Sequence, residues 1–465
     1  MEKLFAAIVP SLSNDAAFCT LLAYAVSSED IATFCTVLKE RLSRTSTTTL
    51  PLVSKDLFSD FISFCSRGRY QHLIGSALKH ANKERLSRRA QRAKMHKRIV
   101  YILGLNWKSP KRSTRQAARS TSAAHIYISR LHDPYPPRGH WVADSQLIHT
   151  SWEYELQRGR LHDKRTGRHP MHIIDYARLA VDVLPEQDAY IYDADTLALV
   201  CVVVRNFSRL PDPLAWVDYI VQETVGFRLP TRLDDPGTMV QVGFSAGSRS
   251  APAFDWVRNL PRNADPGVAS ELDTNVSAAF ALFWNLCRFW LPDPVINDID
   301  DFMEVTGIYP MNGNSRHGKL DGKYVIIAGD LEFEFTDARL APPAGVVSQN
   351  YARAIHHEYQ PHKWALSWTT ARTCDDSYGG AFYLAQYGVR VANAANTLIA
   401  FMPVDFHGTS LPLCDPNNAN PDYIQRGLAI ATPIRLPKTW IDYQSGLISE
   451  ADAIATIYND DDIIY

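Results

Sequence analysis

The sequence is poor in the features that mark secreted or membrane-spanning proteins. Its seven cysteines, Cys19, Cys35, Cys65, Cys201, Cys287, Cys374 and Cys414, are odd in number, scattered, and never form a C-x-x-C pair. That pattern excludes a disulfide framework or a zinc-finger spacing and favours a reducing compartment. No run of about 18 apolar residues occurs, so a transmembrane helix is not expected. The opening "MEKLFAAIVPSLSND" is too short and too weakly apolar to read as a secretory signal. No internal repeat is visible, and the net charge is only −2.

What is present suits an ordered globular protein: 46% of the residues are hydrophobic and 11% aromatic. At 465 residues the chain exceeds the size of a single growing core, so two or more substructures are expected. The small net charge conceals an asymmetry. Residues 83–119 hold 13 Lys or Arg against one acid, Glu84, which leaves the remainder at about −14. Each Lys or Arg that neutralises a phosphate releases counterions, so this run predicts salt-sensitive, sequence-independent contact with nucleic acid. It also reads as a nuclear import signal, and a nuclear location is expected.

Residues 1–107 read as a small helical unit, with apolar residues at three- and four-residue spacings in "AAFCTLLAYAV", "IATFCTVLKERL", "KDLFSDFISFC" and "YQHLIGSALKHA". The unit ends in a basic helix over about 83–98. Residues 108–123, "KSPKRSTRQAARSTSA", are polar and basic and read as a mobile linker or arm. From residue 124 to 465 the texture is one of short β-rich runs broken by Pro and Gly, among them "LALVCVVVRN", "WALSWTT", "NTLIAFMPVDF" and "GLAIATPIRL". Two helical stretches interrupt them, "PLAWVDYIVQETVGF" and "ASELDTNVSAAFALFWNLCRFW". Many short strands with few helices predict an α+β domain built on a sandwich or rolled barrel.

The chemistry concentrates between residues 354 and 435. "HHEYQPH" at 356–362 packs three histidines and a glutamate into seven positions of a chain with 15 histidines in all. On a strand, His356 and Glu358 point to one face and His357 to the other, because side chains alternate. A second histidine on a neighbouring strand, such as the one in "FHGTS" at 406–410, completes a two-histidine, one-carboxylate face of the kind that suits non-haem Fe(II) oxygenases. Arg426, at the head of the apolar strand "QRGLAIAT", is placed to hold a cosubstrate carboxylate. His357 and His362 read as bystanders. Asp337, in the acidic loop 329–343, reads as a surface residue.

These elements resemble the fungal TET/JBP-like dioxygenases, a branch of the Fe(II)- and 2-oxoglutarate-dependent oxygenases. That family shows H-x-D followed by Pro and Trp, a GG-x-F-x-L strand, a YG turn, a TL-x-AF strand, a distal HG and an Arg-led strand. Here stand "HHEYQPHKWALSWTT", "YGGAFYLAQYGVRV", "NTLIAFMPVDFHGTS" and "QRGLAIA". The resemblance covers about 80 residues closely and 170–440 in outline, leaving the helical N-terminal unit outside. It implies a double-stranded β-helix core with flanking helices. It further implies Fe(II) held by His356, Glu358 and His407, with Arg426 on the distal carboxylate of 2-oxoglutarate. The implied activity is oxidation of methylated bases in DNA, 5-methylcytosine or N6-methyladenine, with the target base flipped out of a duplex. A monomer is expected.

One residue departs from the family pattern, Glu358 where the family has Asp, with Asp375 or Asp376 as the fallback carboxylate. The departure keeps two alternatives open: a catalytically silent nucleic-acid binder on the same scaffold, or an oxygenase acting on a protein or small molecule.

Overall fold

A computed structural model describes residues 2–12, 14–26, 31–44, 54–66, 111–158, 169–313, 322–329, 331–416, 418 and 421–448, besides single positions 94, 97 and 100. The expected basic helix over 83–98, the stretch "YQHLIGSALKHA", most of the loop 311–323 and the acidic tail lie outside the described residues. The chain divides into two compact units, Met1–Ile99 and Val100–Tyr465.

The first unit contains the helices Glu2–Leu12, Ala16–Val26, Ile31–Ser43 and Ser54–Ser66. Three of these match the expected periodic stretches. Each turns a stripe of large apolar residues inward, where Phe5, Phe18, Phe34 and Phe61 meet mostly edge to face at 5.3–6.1 Å.

The second unit is built on two sheets. The larger has nine strands in the order Ala124–Ile128, Ala189–Asp193, Leu199–Val204, Thr397–Phe401, Ala365–Arg372, Gln425–Ile430, Ala344–Gln349, Thr238–Gly247 and Pro252–Trp256. Only its first pair is parallel. The smaller has five strands in the order Arg353–His356, His407–Thr409, Phe382–Leu384, Val389–Val391 and Val181–Val183. Their facing sides share one core, in which Val203, Ile399 and Phe401 of the larger sheet meet Leu384, Val389 and Val391 of the smaller.

The outer face of the large sheet is covered by helices. The helix Pro266–Trp290 starts cleanly because the Asp265 carboxylate accepts the free N–H groups of Gly267 and Val268 and Pro266 occupies its first turn. Its sequence is apolar almost all round, as its burial along most of its length requires. Trp368 of the sheet packs edge-on against Phe207 at 5.2 Å and tilted against Phe283 of this helix at 5.6 Å. A sheet buried on both faces explains runs such as "LVCVVV", in which apolar residues do not alternate with polar ones.

The polar segment 108–123, expected to be a mobile arm, instead contains the helix Lys111–Ser122. Arg, Gln and Ala are good helix formers, and tertiary contacts hold the helix in place. Gln116 donates to the Leu291 carbonyl at 2.7 Å, and Arg119 pairs with Asp188 at 2.8 Å while lying over the Trp290 ring. Linker composition misled because these anchors lie far away in sequence.

Candidate metal and cosubstrate site

The strands Arg353–His356 and His407–Thr409 are antiparallel neighbours, and His356 stands directly opposite His407. Their rings are 4.4 Å apart between centroids. In each, Nδ1 lies 2.8 Å from the backbone carbonyl two residues earlier, Ala354 for His356 and Asp405 for His407. A carbonyl only accepts, so Nδ1 carries a proton in each ring, which leaves Nε2 as the nitrogen that a metal would take. Burial, reinforced by the neighbouring His356, pushes the His407 imidazole down to about 3, so it stays neutral.

Glu358 lies two residues beyond the end of the strand, fixed by its N–H to the Pro403 carbonyl at 2.8 Å. Its carboxylate is 3.3 Å from His356 Nε2 and 3.6 Å from the Arg232 guanidinium. Partial burial opposes its ionisation. The contact with His356 and the Arg232 guanidinium favour the charged form and hold the carboxyl below its ordinary value. Two imidazoles and one ionised carboxylate form a donor set suited to Fe(II). The donors do not already surround a common point: among the described residues no group of three His, Cys, Asp or Glu is placed to hold a metal ion. His356 Nε2 and Glu358 contact each other instead, so both would turn slightly to share a metal with His407.

All three residues line a cavity of about 620 Å³ between the two sheets. The large sheet contributes Ser348, Ser367, Thr369 and Gln425, and the small sheet contributes Phe382. The strand bearing His356 is braced by Asp235, which accepts from Tyr351 at 2.6 Å and from Arg353 at 2.6 and 2.7 Å.

The structure pairs the Arg426 guanidinium with a carboxylate. Arg426 borders the cavity, but its Nε and Nη2 donate to Asp218 of the helix Pro211–Phe227 at 3.0 and 2.6 Å. The reason is strand parity. Arg426, Leu428 and Ile430 share one face. Leu428 is paired with Trp368, which packs on the helices, and Ile430 with Gly345, where a Cβ would strike Phe280. Gln425 and Gly427 take the other parity.

Beside Gln425 stands a cation that sequence reasoning missed. Arg372 donates to the Tyr423 hydroxyl at 2.9 Å, to Gln425 Oε1, and to the carbonyls of Asp375 and Gly379 at 2.7 Å each, all neutral acceptors. Its buried Nε has no partner among the described contacts. The fallback carboxylates are engaged elsewhere, Asp375 capping the turn at Ser377 and Asp376 pairing with Arg390 at 2.7 Å. Asp337 is exposed on a turn with φ of 55°.

The two remaining histidines of the cluster have other work. His357 packs edge-on against Phe406 at 5.0 Å. His362 is buried, donates from Nδ1 to the Trp364 carbonyl at 2.8 Å and accepts the Thr432 hydroxyl at Nε2 at 2.9 Å. Burial pushes it down to about 4 despite the Trp364 bond. A histidine whose folded value lies below the unfolded value of about 6.5 leaves stability intact above that pH. As pH falls from about 6.5 to 4 the unfolded chain takes the proton first, and stability drops by about 3 kcal/mol from this site. Urea midpoints across that window should fall, and His362→Gln should make the fall shallower.

No family model matches the sequence, and no curated protein matches it. Among solved structures the chain is similar to NgTET1 in complex with 5mC DNA, at 9% identity and a TM-score of 0.32, covering 62% of this chain and 89% of that one. It is also similar to an oxidoreductase of the 2OG-Fe(II) oxygenase family from Burkholderia pseudomallei, at 13% identity and a TM-score of 0.24, covering 50% and 87%. Likeness this distant carries no conclusion about chemistry, which rests on the residues themselves.

Proposed function

We propose that the protein is an Fe(II)- and 2-oxoglutarate-dependent dioxygenase that oxidises methylated bases in DNA, on a distorted double-stranded β-helix formed by the two facing sheets. The observation that carries the reading is the pair of in-register histidines with their Nδ1 protons clipped to backbone carbonyls, beside an ionised glutamate, in a cavity between the sheets. His356, Glu358 and His407 would hold the iron. Fe(II) with 2-oxoglutarate supplies oxidation of an unactivated C–H bond. The chain's own residues fix the imidazole tautomers, keep the carboxyl ionised, brace the His356 strand through Asp235 and wall off water with Phe382 and Phe401.

The DNA part of the reading is supported by the basic run 83–119, and a base inside a duplex must leave the stack to reach such a cavity. The protein then acts in the nucleus, as a monomer. Purified protein supplied with Fe(II), 2-oxoglutarate and methylated DNA should yield hydroxymethylated nucleosides by mass spectrometry of the digest. Absence of product from both 5-methylcytosine and N6-methyladenine, in duplex and single strand alike, would overturn the substrate assignment.

For the acidic cosubstrate, Arg372 is the cation hydrogen-bonded to no carboxylate: it stands behind Gln425, which lines the cavity, whereas Arg426, which lines it too, is neutralised by Asp218. Loss of a charge-assisted bond predicts that Arg372→Gln weakens 2-oxoglutarate binding about tenfold or more, whereas Arg426→Gln changes it by less than about threefold. Calorimetry decides, and the reverse order would mean that Arg426 leaves Asp218 to take the ligand.

A second reading, a silent nucleic-acid binder, is favoured by the direct contact between His356 and Glu358 where a metal would stand between them. Elemental analysis after loading separates the two. The dioxygenase takes up one iron per chain and the binder none.

A further inference from the structure

One turn serves two of the three candidate ligands. In the segment 402–406 the Pro403 carbonyl accepts the Glu358 N–H at 2.8 Å, and the Asp405 carbonyl lies 2.8 Å from His407 Nδ1. The turn is closed by the Asp405 N–H on the Met402 carbonyl at 3.1 Å, and its far end is held by the Gln386 N–H on the Phe406 carbonyl at 3.1 Å. At its centre the Asp405 carboxylate is fully buried, and its Oδ2 takes no hydrogen bond among the described residues. The backbone bonds of the turn do not need a charged side chain, and burying one is costly unless it is paired.

Its counter-charge is Arg130, whose Nη1 lies 2.6 Å from Asp405 Oδ1. Arg130 comes from outside the small sheet, just after the strand Ala124–Ile128 at the edge of the large one. The backbone on either side of it is pinned. The Ile128 carbonyl accepts the Ala194 N–H at 3.0 Å, and Leu131 donates to the Gln386 carbonyl at 2.9 Å while accepting from the Gln386 side-chain amide at 2.7 Å. The guanidinium lies 5.9 Å from the Tyr387 ring centroid. Asp193, the other acid whose field reaches Asp405, is engaged by the Tyr387 hydroxyl at 3.0 Å and by the Thr196 N–H at 2.8 Å. Arg130 is thus a half-exposed strut with a fixed foot, and the carboxylate it grips belongs to the residue whose carbonyl orients His407.

We propose that Arg130 is a positioning residue for the metal site, acting through Asp405 on the turn that aims His407 and seats Glu358. The inference rests on the oxygenase reading for what the ligands hold, though not for the geometry of the turn. Without Arg130 the carboxylate is an unpaired buried charge. It finds relief by swinging toward water, which draws the Asp405 carbonyl away from His407 Nδ1. The ring then loses the bond that fixes it, and Glu358 loses the turn that seats it. A purely structural account gives Arg130 one task, neutralising Asp405, and the two accounts part when that charge is removed.

The test uses the full chain and Fe(II), with affinity read anaerobically by competition with a chromophoric chelator. Melting temperatures and histidine N–H NMR signals are read on the metal-free protein. Arg130→Met should weaken Fe(II) binding about tenfold or more, as loss of an outer partner does. Arg130→Lys, which keeps the charge, should recover most of it. The His407 Nδ1–H signal, assigned by its absence from His407→Ala, should resist exchange in the intact chain and vanish in Arg130→Met. Adding Asp405→Asn to Arg130→Met removes the unpaired charge, so the melting temperature should return while Fe(II) binding stays weak; this double variant carries the comparison should Arg130→Met alone not fold. Unchanged Fe(II) affinity in Arg130→Met, or affinity restored together with stability in the double variant, would each overturn the proposal. If the intact chain takes up no iron, the oxygenase reading fails and the NMR signal decides alone: loss of the Nδ1–H from the double variant upholds the role of Arg130, and its survival there overturns it.

Discussion

His407→Ala is expected to lose bound iron and the oxidation of methylated DNA together. His407 is buried, stands in register with His356 across the strand pair, and offers Nε2 because Nδ1 is committed to the Asp405 carbonyl. Removing only an outer hydrogen-bond partner of a metal ligand costs roughly 10–100-fold in affinity or activity. Deleting a ligand should therefore exceed that, leaving turnover below detection. Elemental analysis and nucleoside mass spectrometry on one preparation provide the check, and an alanine variant that keeps its iron and its product would remove His407 from the site. Glu358→Asp sharpens the result. It restores the residue of the resembled family but shortens the reach by one methylene, so its iron occupancy shows whether the longer side chain is needed to meet the two imidazoles.

Trp368→Ala is expected to cost about 3–5 kcal/mol of stability, the range for emptying a large aromatic site in a packed core. The ring is fully buried against Phe207 and Phe283, in a layer between sheet and helix that cannot collapse easily around the empty space. Its neighbours Ser367 and Thr369 line the cavity from the opposite face of the same strand. Denaturant unfolding should show the loss, while the surviving folded fraction still binds iron with near-normal stoichiometry. The two variants thus separate fold from site: one fails by losing metal at normal stability, the other by losing stability around an intact donor set.

Much of this architecture was legible because apolar periodicity is strong where elements are long. The stretches "PLAWVDYIVQETVGF" and "ASELDTNVSAAFALFWNLCRFW" lie within the helices Pro211–Phe227 and Pro266–Trp290. The pairing of His356 with Glu358 followed from the period of a strand, although the strand itself stops at His356 and a hydrogen bond to Pro403 carries the geometry on. Arg426 shows what such reasoning leaves open. Alternation says that Arg426 and Leu428 share a face, but in a sheet buried on both sides apolar neighbours do not say which face holds the cavity. Arg372 was invisible for a related reason, since its partners at 379, 423 and 425 are local only in space. The helix Lys111–Ser122 was hidden by composition, because the surfaces that anchor it come from residues 188, 290 and 291.

The position of Gln425–Ile430 bears on how the protein is made. This last described strand is not at a margin: it sits between Ala365–Arg372 and Ala344–Gln349, and it alone joins the two halves of the nine-stranded sheet. During synthesis every other strand of that sheet leaves the ribosome first, so two half-sheets wait with bare, hydrogen-bond-hungry margins. A chain released just before residue 425 would keep both histidines and the glutamate yet have no closed sheet to hold them. Truncations on either side of that strand should therefore divide sharply, with soluble protein on one side and aggregate on the other.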